Sequence, residues 1–230
     1  MDIYAIENAA QKLRSQFGLN DTEAVHIKTV LRKQNIITVY RDMSESIFGM
    51  SLRCKDYRFM LINSNTTRGR QHFTVAHELY HLYMEENPIP HLCCNGKTKT
   101  EVTADMFASA FLMPQQGLRS IIPAEELLQQ DLSVATILKL EQYFSVSRNA
   151  LLVRLVQLKI ISQKCYLRLS VIPVIPSAID NGYDTSLYQK GNKNLVIGDF
   201  GAVARTLFDE EKISEGHYRE LLNQITYEQD

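Results

Sequence analysis

Phe73-Thr74-Val75-Ala76-His77-Glu78-Leu79-Tyr80-His81-Leu82-Tyr83-Met84 is the stretch on which the reading of this chain turns. Its periodicity is helical, and residues four apart on a helix point to nearly the same side, so the two imidazoles of H-E-x-x-H can reach one ion. Glu78, one position beyond His77, leans towards that ion without binding it, where a carboxylate can take a proton from a metal-bound water. Zinc suits two neutral imidazoles plus a carboxylate, and it lowers the pKa of bound water to ~7. In a chain with 6 His among 230 residues, two His at this spacing with Glu in the one correct place arise by accident roughly 0.01 times. The competing reading is a helix that carries two ordinary histidines.

A catalytic zinc of this kind needs a third protein ligand and an open fourth position. One zincin class would continue the motif with Gly at position 84 and His at position 87, but Met84 and Asn87 stand there. Glu85 and Glu86 continue the same helix and lie too far along it to converge on the ion. Glu101-Val102-Thr103-Ala104-Asp105, which begins 20 positions after His81, is the better source. Its surroundings are apolar (Val102, Ala104, Met106, Phe107, Ala108, Phe111), so an acidic face there needs a reason other than solvation. Glu101, with the longer reach, is expected to ligate the metal, and Asp105, one turn later, to accept a hydrogen bond from a ligand imidazole.

Working outward, Ile3, Ile6, Ala10, Leu13 and Phe17 predict a first helix, and Asn20 and Asp21 can cap a second running to about Lys33. Residues 35–40, 47–53 and 57–63 are short β-branched or aromatic stretches that predict a small antiparallel sheet. After the H-E-x-x-H helix, Asn87, Pro88 and Pro90 predict a stop and a loop to about Thr98. The ligand helix ends at Pro114, and residues 123–161 read as helical, with Ser147 as an N-cap. Residues 165–175 read as strand, and two more helices are expected at 199–209 and 214–226. The expectation is an α+β fold in three parts: a zincin-like peptidase core over 1–120, a helical, helix-turn-helix-like module over 121–162, and a small α/β segment over 163–230.

Composition supports an ordinary folded protein, 45% apolar and 22% charged. The net charge of -1 argues against a duplex-binding protein held by general electrostatics. No run approaches the ~18 apolar residues of a membrane span, and Met1 to Glu7 has no signal-peptide character. Four cysteines without an export signal read as reduced thiols, so a cytoplasmic protein is expected.

The two motif helices, together with Leu61-Ile62-Asn63-Ser64 and Arg70, resemble the ImmA/IrrE family of zinc metallo-endopeptidases over residues 59–114. That family carries F-T-x-A-H-E-L-x-H followed by E-x-x-A-x-x-F-A-x-x-L-x-M-P. Tyr80 stands where the family commonly has Gly, narrowing the cleft, and Asp105 where Asn is frequent. The resemblance implies a cytosolic, often mobile-element-encoded peptidase that cleaves or inactivates a helix-turn-helix repressor. The alternative is a regulatory binding protein of the same fold that holds a repressor, or DNA, without efficient turnover.

Other signals carry less. His91-Leu92-Cys93-Cys94 has no C-x-x-C partner, and adjacent cysteines seldom bind one ion together, so it is read as an ordinary loop. His72 lies about 140° round the helix from His77 and should not share its ion. Arg70, Tyr57 and Tyr80 are the candidates for stabilising an oxyanion. The segment from Leu138 to Ile161 resembles a helix-turn-helix unit, but its second helix is too apolar to read base edges. It reads as core or as a docking surface for protein, and DNA is not the expected partner.

Overall fold

The computed structural model describes residues 3–54, 57–85, 91–94 and 98–226. Helix α1 (Ile3–Gln16) buries Ile6, Ala10 and Leu13 as the spacing predicts. Helix α2 (Ile27–Lys33) starts later than expected. The Asn20 side chain accepts from the backbone N–H groups of Thr22 and Glu23, both at 2.9 Å, and so closes a turn instead of capping a helix. Strands β1 (Ile36–Arg41), β2 (Ile47–Cys54) and β3 (Tyr57–Asn63) follow, then helix α3 (Arg68–Met84), strand β4 (His91–Cys94) and helix α4 (Lys99–Leu112). The stop signal at Asn87, Pro88 and Pro90 lies outside the described residues, as does Glu86. The loop expected up to Thr98 contains β4, whose partner lies 40 or more residues earlier and leaves no local signal.

The sheet is mixed rather than wholly antiparallel, in the order β4-β2-β3-β1-β5. Strands β2 and β3 form a hairpin, but β1 pairs with β3 in parallel. Asn63 fixes that crossover: its Nδ2 donates to the carbonyls of Ser44 (3.0 Å) and Ile47 (2.7 Å), and its Oδ1 accepts from Met43 N (3.1 Å). Strand β5 (Val196–Ile197) comes from the C-terminal segment and adds antiparallel to β1.

Helix α3 lies between the sheet and α4, and α4 packs in turn on α1. It is buried nearly all round from Thr74 to Leu82, the condition under which a polar side chain needs a partner. Arg14 ties α1 to α4 by donating to the Phe111 carbonyl at 2.6 Å.

Four short helices follow, α5 (Gln115–Ile121), α6 (Ala124–Gln129), α7 (Val134–Phe144) and α8 (Arg148–Gln157), of which α6 to α8 occupy the stretch 121–162 expected to be a helical module. The α7–α8 turn passes through Ser145 at φ 55°, and the Ser147 side chain accepts from Ala150 N as an N-cap. Helix α8 offers little docking surface, because Leu151, Leu152 and Leu155 are in the core. Its arginines are buried too. Arg148 pairs with Glu141 at 2.6 Å, and Arg154 reaches Glu7 on α1 and the Met113 carbonyl.

Residues 165–175 are not a strand: α9 (Gln163–Ser170) and α10 (Val174–Asp180) occupy them. The alternation of Cys165, Leu167, Leu169 and Val171 imitates a period of two. Only Cys165 and Leu169, four apart, are buried, while Leu167 and Val171 are 58% and 78% exposed. The Ser162 side chain, accepting from Cys165 N at 3.2 Å, starts the helix. Helices α11 (Phe200–Asp209) and α12 (Glu215–Thr226) complete the chain where the sequence predicts them. Among the described residues, no helix is long and apolar enough to cross a membrane.

Candidate metal centre

Both ends of the motif helix are held. The Thr67 side chain accepts from Arg70 N at the start of α3, and Arg53 on β2 donates to the carbonyls of Leu82 (3.1 Å) and Glu85 (3.0 Å) at its end. Thr98 caps α4 by accepting from Glu101 N at 3.2 Å, which places Glu101 in the first turn, facing α3.

His77, His81 and Glu101 come together. The two Nε2 atoms lie 3.2 Å apart, and of the Glu101 carboxylate Oε2 is 3.3 Å from His77 Nε2 and Oε1 3.7 Å from His81 Nε2. Tetrahedral bonds of about 2.05 Å to nitrogen or oxygen put neighbouring donors about 3.3 Å apart. The three separations therefore fit one small divalent ion. The far side of each ring is also engaged. His77 Nδ1 donates to Asp105 Oδ1 at 2.8 Å, and His81 Nδ1 lies 3.0 Å from Glu85 Oε1 in an ion-pair contact. In the neutral ring a metal requires, the bond to Asp105 fixes the tautomer that turns the His77 Nε2 lone pair to the shared point. Asp105 stands where the sequence predicts it. The contact from Glu85, considered in the sequence only as a ligand, was missed, although its i, i+4 spacing from His81 was the available signal.

The cluster asks for positive charge. Burial works against a charged His77, but Asp105, Cys93 and Glu101 outweigh it and push the pKa up to about 12. Asp105 is 60% exposed, so solvent screens part of its effect.

Glu78 is fully buried between α3 and β2, and its Oε2 accepts from the Ser51 hydroxyl at 2.6 Å. Small residues on β2 allow this approach: a Cβ at Gly49 would stand 2.6 Å from Thr74 Cγ2 and 3.3 Å from Glu78 Oε1. Tyr80 is packed edge-on to the His81 ring at 5.5 Å and tilted on Phe107 at 5.6 Å, so it buttresses an imidazole inside the α3–α4 contact. Arg70 lies over the Phe48 ring at 4.0 Å, and Tyr57 is 56% exposed at the start of β3. His72 faces the helical module, with Nδ1 3.0 Å from the Ser145 carbonyl. Gly69 permits that contact, since a Cβ there would meet Ser147 N at 3.0 Å.

The sequence also set aside Cys93, and here the structure differs. Strand β4 carries its buried thiol to the candidate metal-binding group, where donor atoms of His77, Cys93 and Glu101 all lie within 4.8 Å of one another. Burial pushes the thiol pKa up while His77 pulls it down. No local sequence pattern marks Cys93; only the pairing of β4 with β2 brings it there.

A family model for the IrrE N-terminal-like domain of the M78 peptidases matches residues 31–156, just over half of the chain. Among solved structures, a Mycobacterium tuberculosis transcriptional regulator is similar at 17% identity and a TM-score of 0.44. The match covers 66% of this chain and 46% of that one, so the chain spans under half of that protein's length. No curated protein matches the chain.

Proposed function

Because the chain belongs to the IrrE N-terminal-like family of M78 peptidases, we propose that it is a cytoplasmic zinc-dependent endopeptidase whose substrate is a helix-turn-helix transcriptional repressor. The observation that carries the reading is the convergence of His77 Nε2, His81 Nε2 and the Glu101 carboxylate at tetrahedral spacing beside a buried Glu78. Two imidazoles and one carboxylate are the donor set of many hydrolytic zinc sites. When bound there, zinc supplies Lewis acidity to a peptide carbonyl and a nucleophile near neutral pH.

The remaining work falls to the chain's own groups. Asp105 holds the His77 imidazole in its ligating tautomer, and the Glu85 carboxylate stands 3.0 Å from His81 Nδ1. Glu78 takes the proton of the attacking water at a carboxylate oxygen and passes it to the leaving amine. Ser51, bonded to the other oxygen, keeps that carboxylate aimed. The repressor as substrate rests on the resemblance of residues 59–114 to peptidases that act on such proteins.

A second reading is a binding protein that holds a repressor or DNA without efficient turnover. It draws on the burial of the donors, His77 being 3% and His81 6% exposed. A buried, hydrogen-bonded carboxylate at position 78 favours the enzyme, since pure binding has no use for it. The internal pairing of Arg148 and Arg154 leaves α8 poorly equipped for DNA.

The test is to incubate zinc-loaded protein with a helix-turn-helix repressor encoded beside it and to weigh the products by intact mass spectrometry. Two fragments whose masses sum to the repressor plus one water are expected, and none with Glu78→Gln. An intact repressor held in a stable complex would favour the second reading, and no interaction would remove the repressor as partner.

A further inference from the structure

The metal cluster contains one donor more than a hydrolytic site needs. Three protein ligands leave a position for water, whereas four close the coordination sphere. The fourth donor type here is the Cys93 thiol, within 4.8 Å of a donor nitrogen of His77 and a carboxylate oxygen of Glu101. Sulfur and nitrogen on one tetrahedral zinc stand about 3.6 Å apart, so a shift of roughly 1.2 Å or less brings the thiol to that spacing from the His77 and Glu101 donors. Cys93 is 6% exposed, as deeply buried as the two histidines.

Its place in the sheet sharpens the point. Cys93 pairs directly with Gly49, the residue whose missing side chain admits Glu78 Oε1. The thiol is therefore close both to the His77 and Glu101 donors and to the strand position that admits Glu78. Strand β4 is at the sheet edge, comprises His91–Cys94 among the described residues and pairs with β2 across a register shift between Ile47 and Gly49. Short, irregular edge strands are the part of a sheet that opens most easily.

We propose that Cys93 is a fourth ligand to the metal held by His77, His81 and Glu101, that it keeps the resting site closed, and that hydrolysis begins only when β4 lifts the thiolate away. On binding, the thiol gives its proton to solvent; on release, the sulfur takes a proton back from solvent and water takes the vacated position. The inference rests on the zinc-site reading above and adds to it a latent state governed by one strand.

X-ray absorption at the zinc edge tests the ligand directly, on zinc-loaded wild type, Cys93→Ser and Cys94→Ser. Wild type and Cys94→Ser should each show one sulfur at about 2.3 Å beside nitrogen and oxygen at about 2.0–2.1 Å. Cys93→Ser should keep its zinc and lose the sulfur. A shell of nitrogen and oxygen alone in wild type overturns the proposal without needing any variant to fold. Loss of the sulfur in Cys94→Ser instead of Cys93→Ser overturns it as well. Absence of zinc from wild type would overturn the underlying metal site too, so the two failures are distinguishable. Closure has its own readout: azide should shift the visible spectrum of the cobalt-loaded Cys93→Ser protein and leave that of cobalt-loaded wild type unchanged. An equal shift in both would overturn the closed resting state.

Discussion

The Ser51 hydroxyl on β2 donates to Oε2 of Glu78 on α3 over 2.6 Å, in a contact so close that Gly49, two residues away, cannot carry a side chain without displacing Thr74. The sheet thus sets the direction of the carboxylate that the sequence could only place on a helix. In the proposed mechanism Ser51 is a positioning residue and Glu78 the proton carrier.

Separate variants distinguish those two roles. Glu78→Gln should fold, keep zinc and lose peptide cleavage. Ser51→Ala should keep zinc and lower kcat by roughly tenfold or more, the scale of a hydrogen bond to a charged group, with KM little changed. Steady-state kinetics with metal content measured on the same samples checks both. Loss of zinc from Glu78→Gln would mean that the carboxylate is a ligand.

Glu101 and Asp105 sit one turn apart on α4, yet they address different nitrogens. Glu101 faces Nε2 of both histidines, and Asp105 meets Nδ1 of His77. Glu101→Ala should lose metal almost entirely, whereas Asp105→Ala should weaken affinity by about 10 to 100-fold. Competition against a chelator of known affinity measures both, and the reverse ranking would exchange their roles.

Metal uptake should be linked to pH. In the metal-free protein the His77 pKa is raised to about 12 by its acidic neighbours, so the ring is protonated at neutral pH. A raised folded-state pKa stabilises the metal-free fold fully below about 6.5, the ordinary histidine value, and that contribution is lost as pH climbs through about 12. A metal needs the neutral ring, so binding must expel this proton and affinity should rise with pH, by about tenfold per unit for one proton. Calorimetry in buffers of different ionisation enthalpy reads the proton count. Heats independent of buffer would show that no proton leaves.

What was legible in the sequence follows from the range of each interaction. His77, Glu78 and His81 share one helix, so their relation is fixed by 3.6-residue geometry alone. Glu101 and Asp105 were legible because two carboxylates on an otherwise apolar helix are costly without a purpose. Cys93 and Ser51 were not, because each reaches the site through strand pairing, which no local spacing encodes. The parallel β1–β3 pairing was missed for the same reason. Helix α9 was misread because Cys165, Leu167, Leu169 and Val171 alternate with polar residues, and burial of Cys165 and Leu169 alone decided the outcome.

The central claim, a zinc ion held by His77, His81 and Glu101, is tested most directly by elemental analysis of protein purified without added metal. About one zinc per chain is expected in wild type, and far less in a folded His77→Ala/His81→Ala variant. Equal zinc in the two proteins, or none in either, would contradict it.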